Sequence, residues 1–263
     1  MNLVRAGDLQ VQVFSTKREA SREAAEVAAD ILRRAIAGRG SARMVVSTGN
    51  SQFDFIEALV ADPDLDWNAV EAFHLDEYAG MPRTHPASFR LWLKTRLADR
   101  VPLRAMHYLN GDSPDLEAEC HRYGALLAEA PIDAGFIGIG ENGHIAFNDP
   151  AVADFADPFA IKIVQLDDAC RRQQVGEGHF ASIADVPERA LSLTCPTIMG
   201  MSNLICCVPE LRKARAVRDT IEGPITTSCP ASILRTHGRA WLFLDAESSS
   251  LLTPMDHGQR TIA

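Results

Sequence analysis

Short apolar runs alternate with helical periodicity along this chain, and that alternation restricts the fold more than any other feature. Val11 to Phe14, Met44 to Val46, Val70 to Leu75, Ala134 to Ile139, Leu204 to Val208 and Trp241 to Leu244 each read as a short buried strand. From Thr16 to Gly38 the residues Ala24, Val27, Ala28, Ile31, Leu32 and Ala35 recur at helical spacing. Further helices are expected over Gln52 to Val60, with Ser51 and Asp54 as a capping box, and from Ser113-Pro114 to Leu127, with proline at the first helical position. Another starts at Pro209. Strands that alternate with helices build a mostly parallel sheet, because each parallel return needs a crossover and the crossover helices cover the faces. The expected class is therefore α/β, a Rossmann-like open sheet with helices on both faces. No repeat, low-complexity stretch or linker divides residues 1–263, so one domain is expected. Residues 149 to 182 are polar and less regular, as an active-site lid would be.

Composition closes off several function classes. The chain carries a formal net charge of -9 over 263 residues. An acidic chain lacks the bulk electrostatics for nucleic acid. No apolar run reaches the ~18 residues of a membrane span, and the first residues lack the apolar core of a signal peptide. The six cysteines form no CxxC pair, which argues against a zinc site or a redox dithiol, and the chain reads as cytoplasmic with reduced thiols.

Four segments could carry chemistry. Ser47-Thr48-Gly49-Asn50-Ser51 lies between a strand and a helix start, where free backbone N–H groups and the helix dipole favour an anion. It lacks the Gly-Lys-Ser/Thr ending of a P-loop, and it reads equally well as a plain strand–helix turn. His74-Leu75-Asp76-Glu77-Tyr78 puts carboxylates at the end of an apolar strand, which in an open α/β sheet faces the ligand crevice. By itself, a helix cap or a solvated strand end is the better explanation. Gly138 to Pro150 presents His144 straight after a glycine turn, with Asp149 five residues on to orient the ring and tune it. The same segment contains a literal G-x-G-x-x-G at Gly138, Gly140 and Gly143, but Pro150 follows closely and no helical pattern does, so a dinucleotide site is set aside. Lys213 lies in the first turns of a helix after a strand, where a solvated lysine is the plainer reading.

Together and in this order, these segments resemble the glucosamine-6-phosphate deaminase (isomerase) family, which is related to the 6-phosphogluconolactonases. The matches are Leu75-Asp76-Glu77-Tyr78, His85-Pro86-Ala87-Ser88, Leu109-Asn110-Gly111 with Glu119-Cys120, Gly143-His144-Ile145-Ala146-Phe147-Asn148, Lys213-Ala214, and Ser228 to Leu234. The resemblance implies an amino-sugar phosphate substrate that is isomerised from aldose to ketose and deaminated, with no metal and no organic cofactor. It implies Asp76 as the base between C2 and C1, His144 as the ring opener, Asp149 behind it, and Asn142 in the same group. It gives the phosphate to Ser47, Thr48, Gly49, Asn50, Ser51 and Lys213, with Arg171 and Arg172 as candidates for a further phosphate arginine, of which Arg172 is the one taken forward. Many members have aspartate at the position of Asn142, glutamate at that of Asp149, and Thr-Gly-Gly-Thr-Pro where this chain has Thr48-Gly49-Asn50-Ser51-Gln52. The allosteric arginine of some bacterial members has no counterpart near Ala160 to Lys162, which implies hyperbolic kinetics. Homo-oligomerisation stands open, since relatives range from monomer to hexamer.

Three rivals remain. The same chemistry on galactosamine 6-phosphate differs only at C4, which the motifs do not read. A 6-phosphogluconolactonase would carry arginine in place of Tyr78 and small hydroxyl residues after the Gly-His pair. A sugar-phosphate sensor would carry an N-terminal helix-turn-helix, for which a first strand at Val11 leaves no room.

Overall fold

The computed structural model describes residues 2–176, 178–253 and 261–262. In chain order the elements are β1 (Asn2–Ala6), β2 (Leu9–Val13), α1 (Lys17–Arg39), β3 (Ala42–Val46), α2 (Phe53–Val60), β4 (Val70–His74), β5 (Asp76–Tyr78), α3 (Phe89–Leu93), β6 (Ala105–His107), α4 (Leu116–Ala128), β7 (Ala134–Ile137), β8 (Ile161–Gln165), α5 (Asp168–Gly176), β9 (Arg189–Leu193), α6 (Cys195–Met199), β10 (Leu204–Cys207), α7 (Ala214–Glu222), β11 (Ala240–Leu244) and β12 (Thr261–Ile262). The main sheet runs β12-β1-β2-β11-β10-β7-β3-β4-β6. Every pairing from β2 to β6 in that order is parallel, and the antiparallel β1–β2 hairpin closes one side. The expected class is the observed one.

Side chains of a strand alternate between faces, so each strand feeds two cores. Leu204 and Cys206 of β10 join α4, α6 and α7 on one face, while Ile205 and Cys207 join α1 and α2 on the other. Helix α1 presents Ala20, Ala24, Ala25, Ala28 and Ala29 to the sheet, with Leu32 fully buried at the end of that face. Small residues let its backbone come close to the strands. A larger side chain at Ala28 would overpack the contact, at a cost of about 1–3 kcal/mol. A reciprocal capping box opens the helix: Thr16 Oγ1 accepts from Glu19 N, and Thr16 N donates to Glu19 Oε2. Gly40 ends it in the left-handed region.

Two of the expected helix starts shift. Ser51 does not cap α2; a short 3-10 turn over Asn50–Gln52 precedes it, and Ser51 Oγ instead accepts from Gln52 Nε2. Helix α4 starts after Asp115, whose carboxylate accepts from Ala118 N, so Pro114 lies outside the helix. At α4 the Asp115 carboxylate takes the free N–H, while at α2 the 3-10 turn leads into the helix with no side-chain cap.

The segment 149–182 is more regular than its composition indicates. It contains β8 and α5, and β8 pairs with β9 and β9 with β5 in a separate three-stranded antiparallel sheet. A third cluster, with Tyr78, Phe147, Val164, Cys170 and Phe180, packs this layer over the end of the main sheet.

Candidate active site

In the main sheet the chain moves from β3 to β4 and β6 in one direction and from β7 to β10 and β11 in the other. The strand order therefore reverses between β3 and β7, the place where open α/β sheets bind ligands beyond their strand ends. A cleft opens there. It is lined by Ser47 to Ser51 after β3, Leu75 and Asp76 after β4, Gly138 to Gly140 with His144, Ala146 and Phe147 after β7, and Lys213 after β10. Phe89 and three residues near α5, Gln173, Gln174 and His179, complete the lining.

The loop after β3 begins with Ser47 N donating to Phe136 O of β7. Gly49 takes φ 108°, a conformation that side chains rarely tolerate. Ser47 Oγ is buried and has no hydrogen-bond partner among the described residues. A buried unsatisfied hydroxyl is costly unless a ligand completes it, so the loop is built for a polar guest. Lys17 of α1 reaches this loop at Asn50 O (3.4 Å) and ion-pairs with Glu210 (2.9 Å), which ties it to the start of the Lys213 turn. Glu210 itself holds φ 84°, strained for a non-glycine residue, while its N–H donates to the Asp245 carboxylate. Lys213 is buried.

Asp76 starts β5, paired opposite Ser192 of β9. Burial, with Glu77 beside it, pushes its carboxyl up to about 8. Glu77 points the other way and is fully buried, accepting from Ser88 Oγ (2.8 Å) and from the backbone N–H groups of Tyr78, Phe89 and Arg90. Two adjacent carboxylates thus serve different ends. Glu77 pins the 85–90 segment, and Asp76 faces the cleft. His74, one turn of the pleat earlier, is a core residue: burial, then the Arg90 charge, lower it to about 3, so its ring is neutral.

The glycine turn after β7 closes with Gly143 N donating to Gly140 O and Gly140 N donating to His144 O. A Cβ at Gly140 would sit 2.2 Å from the His144 ring, so only glycine lets the imidazole lie across the turn. His144 Nδ1 stands 2.9 Å from Asp149 Oδ1, and Asn142 Nδ2 donates to the same oxygen at 2.9 Å. Asn142 Oδ1 accepts from His144 N (3.1 Å), so one amide braces both members of the pair. Burial pushes Asp149 up, but the bonds and charge of His144 and the Asn142 amide outweigh it and hold the carboxyl below its ordinary range. No helix follows the turn, and the G-x-G-x-x-G there belongs to a histidine-bearing loop.

The structure therefore brings Asp76, His144, the Ser47–Ser51 loop and Lys213 into one cleft, with Asn142 and Asp149 directly behind His144. It does not bring Arg172 there. That side chain is exposed and pairs with Asp168 four residues back on α5 (2.9 Å), while Arg171 bonds Ile183 O and Val186 O. Their neighbours Gln173 and Gln174 face the cleft instead, because a helix turns about 100° per residue. Gln174 is also held by Tyr78, whose hydroxyl donates to Oε1 at 2.7 Å. Sequence reading missed Gln173, Gln174 and His179 as lining residues; the polar run itself was visible, but its phase on a helix was not.

Comparison with known proteins agrees with this geometry. The family profile described as glucosamine-6-phosphate isomerases/6-phosphogluconolactonase matches residues 15–156. A glucosamine-6-phosphate deaminase of Streptococcus equi subsp. zooepidemicus is 34% identical over 230 residues, 88% of this chain and 95% of that protein. One from Lactobacillus delbrueckii subsp. bulgaricus is 32% identical over the same length. The solved structure of a monomeric glucosamine-6-phosphate deaminase superposes with a TM-score of 0.83 at 30% identity, covering 92% of this chain and 99% of that one. A 6-phosphogluconolactonase from Trypanosoma brucei shares the fold, with a TM-score of 0.75 at 17% identity over 92% of this chain and 98% of that one. Among the described residues no helix is long and apolar enough to cross a membrane. On sequence and fold together, the chain belongs to the glucosamine-6-phosphate isomerase/6-phosphogluconolactonase family.

Proposed function

We propose that this cleft converts glucosamine 6-phosphate and water to fructose 6-phosphate and ammonia. The observation that carries the reading is the meeting of a cleft-facing carboxylate, Asp76, with the His144–Asp149 pair and a cationic phosphate cradle, on a chain 34% identical to a deaminase. The Ser47–Ser51 loop and Lys213 grip the phosphate, and this remote binding energy positions the reacting carbons. His144, held by Asp149 and Asn142, takes a proton as the pyranose ring opens. Asp76 removes the C2 proton of the open-chain aldehyde and returns a proton at C1, leaving an imine at C2. Water adds to that carbon and ammonia departs. No step in this sequence calls for a metal or an organic cofactor.

Residues 149–182 act as the cover of the site, with Gln173, Gln174 and His179 as the faces it presents. The kinetics are hyperbolic; a sigmoidal curve made hyperbolic by N-acetylglucosamine 6-phosphate contradicts that part. The test is the purified protein against glucosamine 6-phosphate, galactosamine 6-phosphate and 6-phosphogluconolactone, following ammonia, ketose phosphate and lactone loss. Ammonia from glucosamine 6-phosphate supports the reading. Preference for the C4 epimer redirects it, and lactone hydrolysis alone overturns it.

A further inference from the structure

Behind the cleft, a ring nitrogen of His144, a carboxylate oxygen of Asp149 and the Sγ of Cys170 all lie within 4.8 Å of one another. Asp149 and Cys170 are buried and His144 is mostly so, and they come from two separate segments, the loop after β7 and helix α5. Among the described residues two of the donor atoms lack a well-aligned nitrogen or oxygen partner. Asp149 is 1% exposed, and among the described residues its Oδ2 has no nitrogen or oxygen partner; the Asn142 amide and His144 Nδ1 both approach Oδ1. His144 Nδ1 stands 2.9 Å from Oδ1 but off the line of a full hydrogen bond, so the contact between them is largely one of charge and proximity. The Cys170 thiol lies beside the Asp149 carboxylate as a weak hydrogen-bond donor to it, and burial, then the Asp149 charge, push it upward.

We propose that His144, Asp149 and Cys170 form a zinc(II) site whose occupation switches the cleft off. Nitrogen, oxygen and sulfur donors in one buried cluster suit zinc, which prefers four tetrahedral ligands and accepts all three types. Bonds of about 2.0–2.3 Å set donors about 3.5 Å apart around the ion, so the trio needs to close by only about 1 Å. Three protein donors leave one position for water, and His144 lines the cleft through which the ion would enter. Coordination displaces the Cys170 thiol proton to solvent and uses the Nδ1 lone pair. The single ring proton of His144 is then fixed on Nε2, which no longer accepts one. Metal binding does not depend on the proposed reaction; only its inhibitory consequence does.

The test uses the full chain freed of metal by a chelator and titrated with zinc chloride, and separately with cobalt(II) chloride. Zinc is expected to suppress ammonia release reversibly, with recovery on adding chelator. Cobalt is expected to give a thiolate-to-metal charge-transfer band in the near ultraviolet, saturating at one ion per chain. Cys170→Ser should keep zinc-free turnover, lose the band and need at least about tenfold more zinc for the same inhibition, as for the loss of a group supporting a metal site. A Cys120→Ser control should keep the band. Absence of the band in the native chain, its persistence in Cys170→Ser, or equal zinc sensitivity of the two proteins would overturn the proposal. Because the band needs no turnover and is read on the native chain, a chain inactive on every hexosamine phosphate, or a poorly folding variant, still leaves a decisive result.

Discussion

The loops at the ends of β3, β4, β7 and β10, with Asp76 at the junction of β4 and β5, and the layer built from β8, β9 and α5 meet across one cleft, but they are made in different ways. The first group hangs from a parallel sheet buried on both faces, so each loop starts at a fixed height and direction. The second rests on a small antiparallel sheet and a nine-residue helix, joined to the rest through Tyr78, Phe147 and their neighbours. Rigid strand ends deliver the groups that need sub-ångström placement, and the lighter layer supplies cover and selectivity. On that division, substitutions in the strand-end loops should cut turnover or weaken the grip on the phosphate, while those in the layer should mainly alter stability.

The largest effect is expected at Asp76. Asp76→Asn should lower kcat by about 10³-fold or more, the upper range for losing a general base. The same change should stabilise the fold. The folded-state carboxyl sits near 8 against an ordinary 3.8, so folding loses stability as pH rises through that window, whereas the amide loses none. Thermal melts of the two proteins should nearly coincide near pH 4 and separate, with the variant higher, by pH 8. In the native enzyme kcat/KM should rise from pH 6 towards 8 as Asp76 ionises, and a profile flat across that range would break the assignment of the base.

Next comes the pair behind the ring. Asp149→Asn should cost on the order of 10²-fold in kcat/KM for the cyclic substrate. The loss should be smaller with an open-chain analogue, since the pair serves ring opening. Equal losses on both would move His144 to another step. Lys213→Ala should raise KM about ten- to a hundredfold, the worth of a charge-assisted bond, measured by initial rates.

The smallest effects should come from the covering layer. Gln174→Ala removes the acceptor of the Tyr78 hydroxyl and should destabilise by about 1 kcal/mol in denaturant titration. Arg172→Ala should leave KM within about twofold, since its exposed pair with Asp168 is worth little. A KM increase like that of Lys213→Ala would place Arg172 on the phosphate and erase the contrast between the two regions.

The same division explains what could be read from the sequence. Met44 to Val46 and Leu204 to Val208 announce themselves because strands buried on both faces are continuous apolar runs, and the loops after them follow at once. Ser47 to Ser51, Asp76 and His144 to Asp149 were therefore legible as a site. The strands Ile161–Gln165 and Arg189–Leu193 were not, because each is short, is flanked by charge and buries residues only against a partner distant in sequence. The resemblance points to Arg171 or Arg172 as a phosphate arginine, but only the phase of α5 decides which of its residues face the cleft, and Tyr78 fixes that phase through Gln174. The Ser51 cap failed for a similar reason: Gln52 reaches both Ser51 Oγ and Cys207 O, a contact 155 residues away that no local pattern contains.

The central claim is that Asp76 moves the C2 proton of an amino-sugar phosphate gripped by the strand-end loops. Glucosamine 6-phosphate labelled with deuterium at C2 tests it most directly, with product label, ammonia and fructose 6-phosphate followed together. The native enzyme should form ammonia and fructose 6-phosphate in equal amounts with a primary isotope effect and with the C2 label moved to C1 or lost to water, and Asp76→Asn should form both at least about 10³-fold more slowly. Equal rates from the native protein and Asp76→Asn, or consumption of the sugar phosphate without release of ammonia, would contradict it.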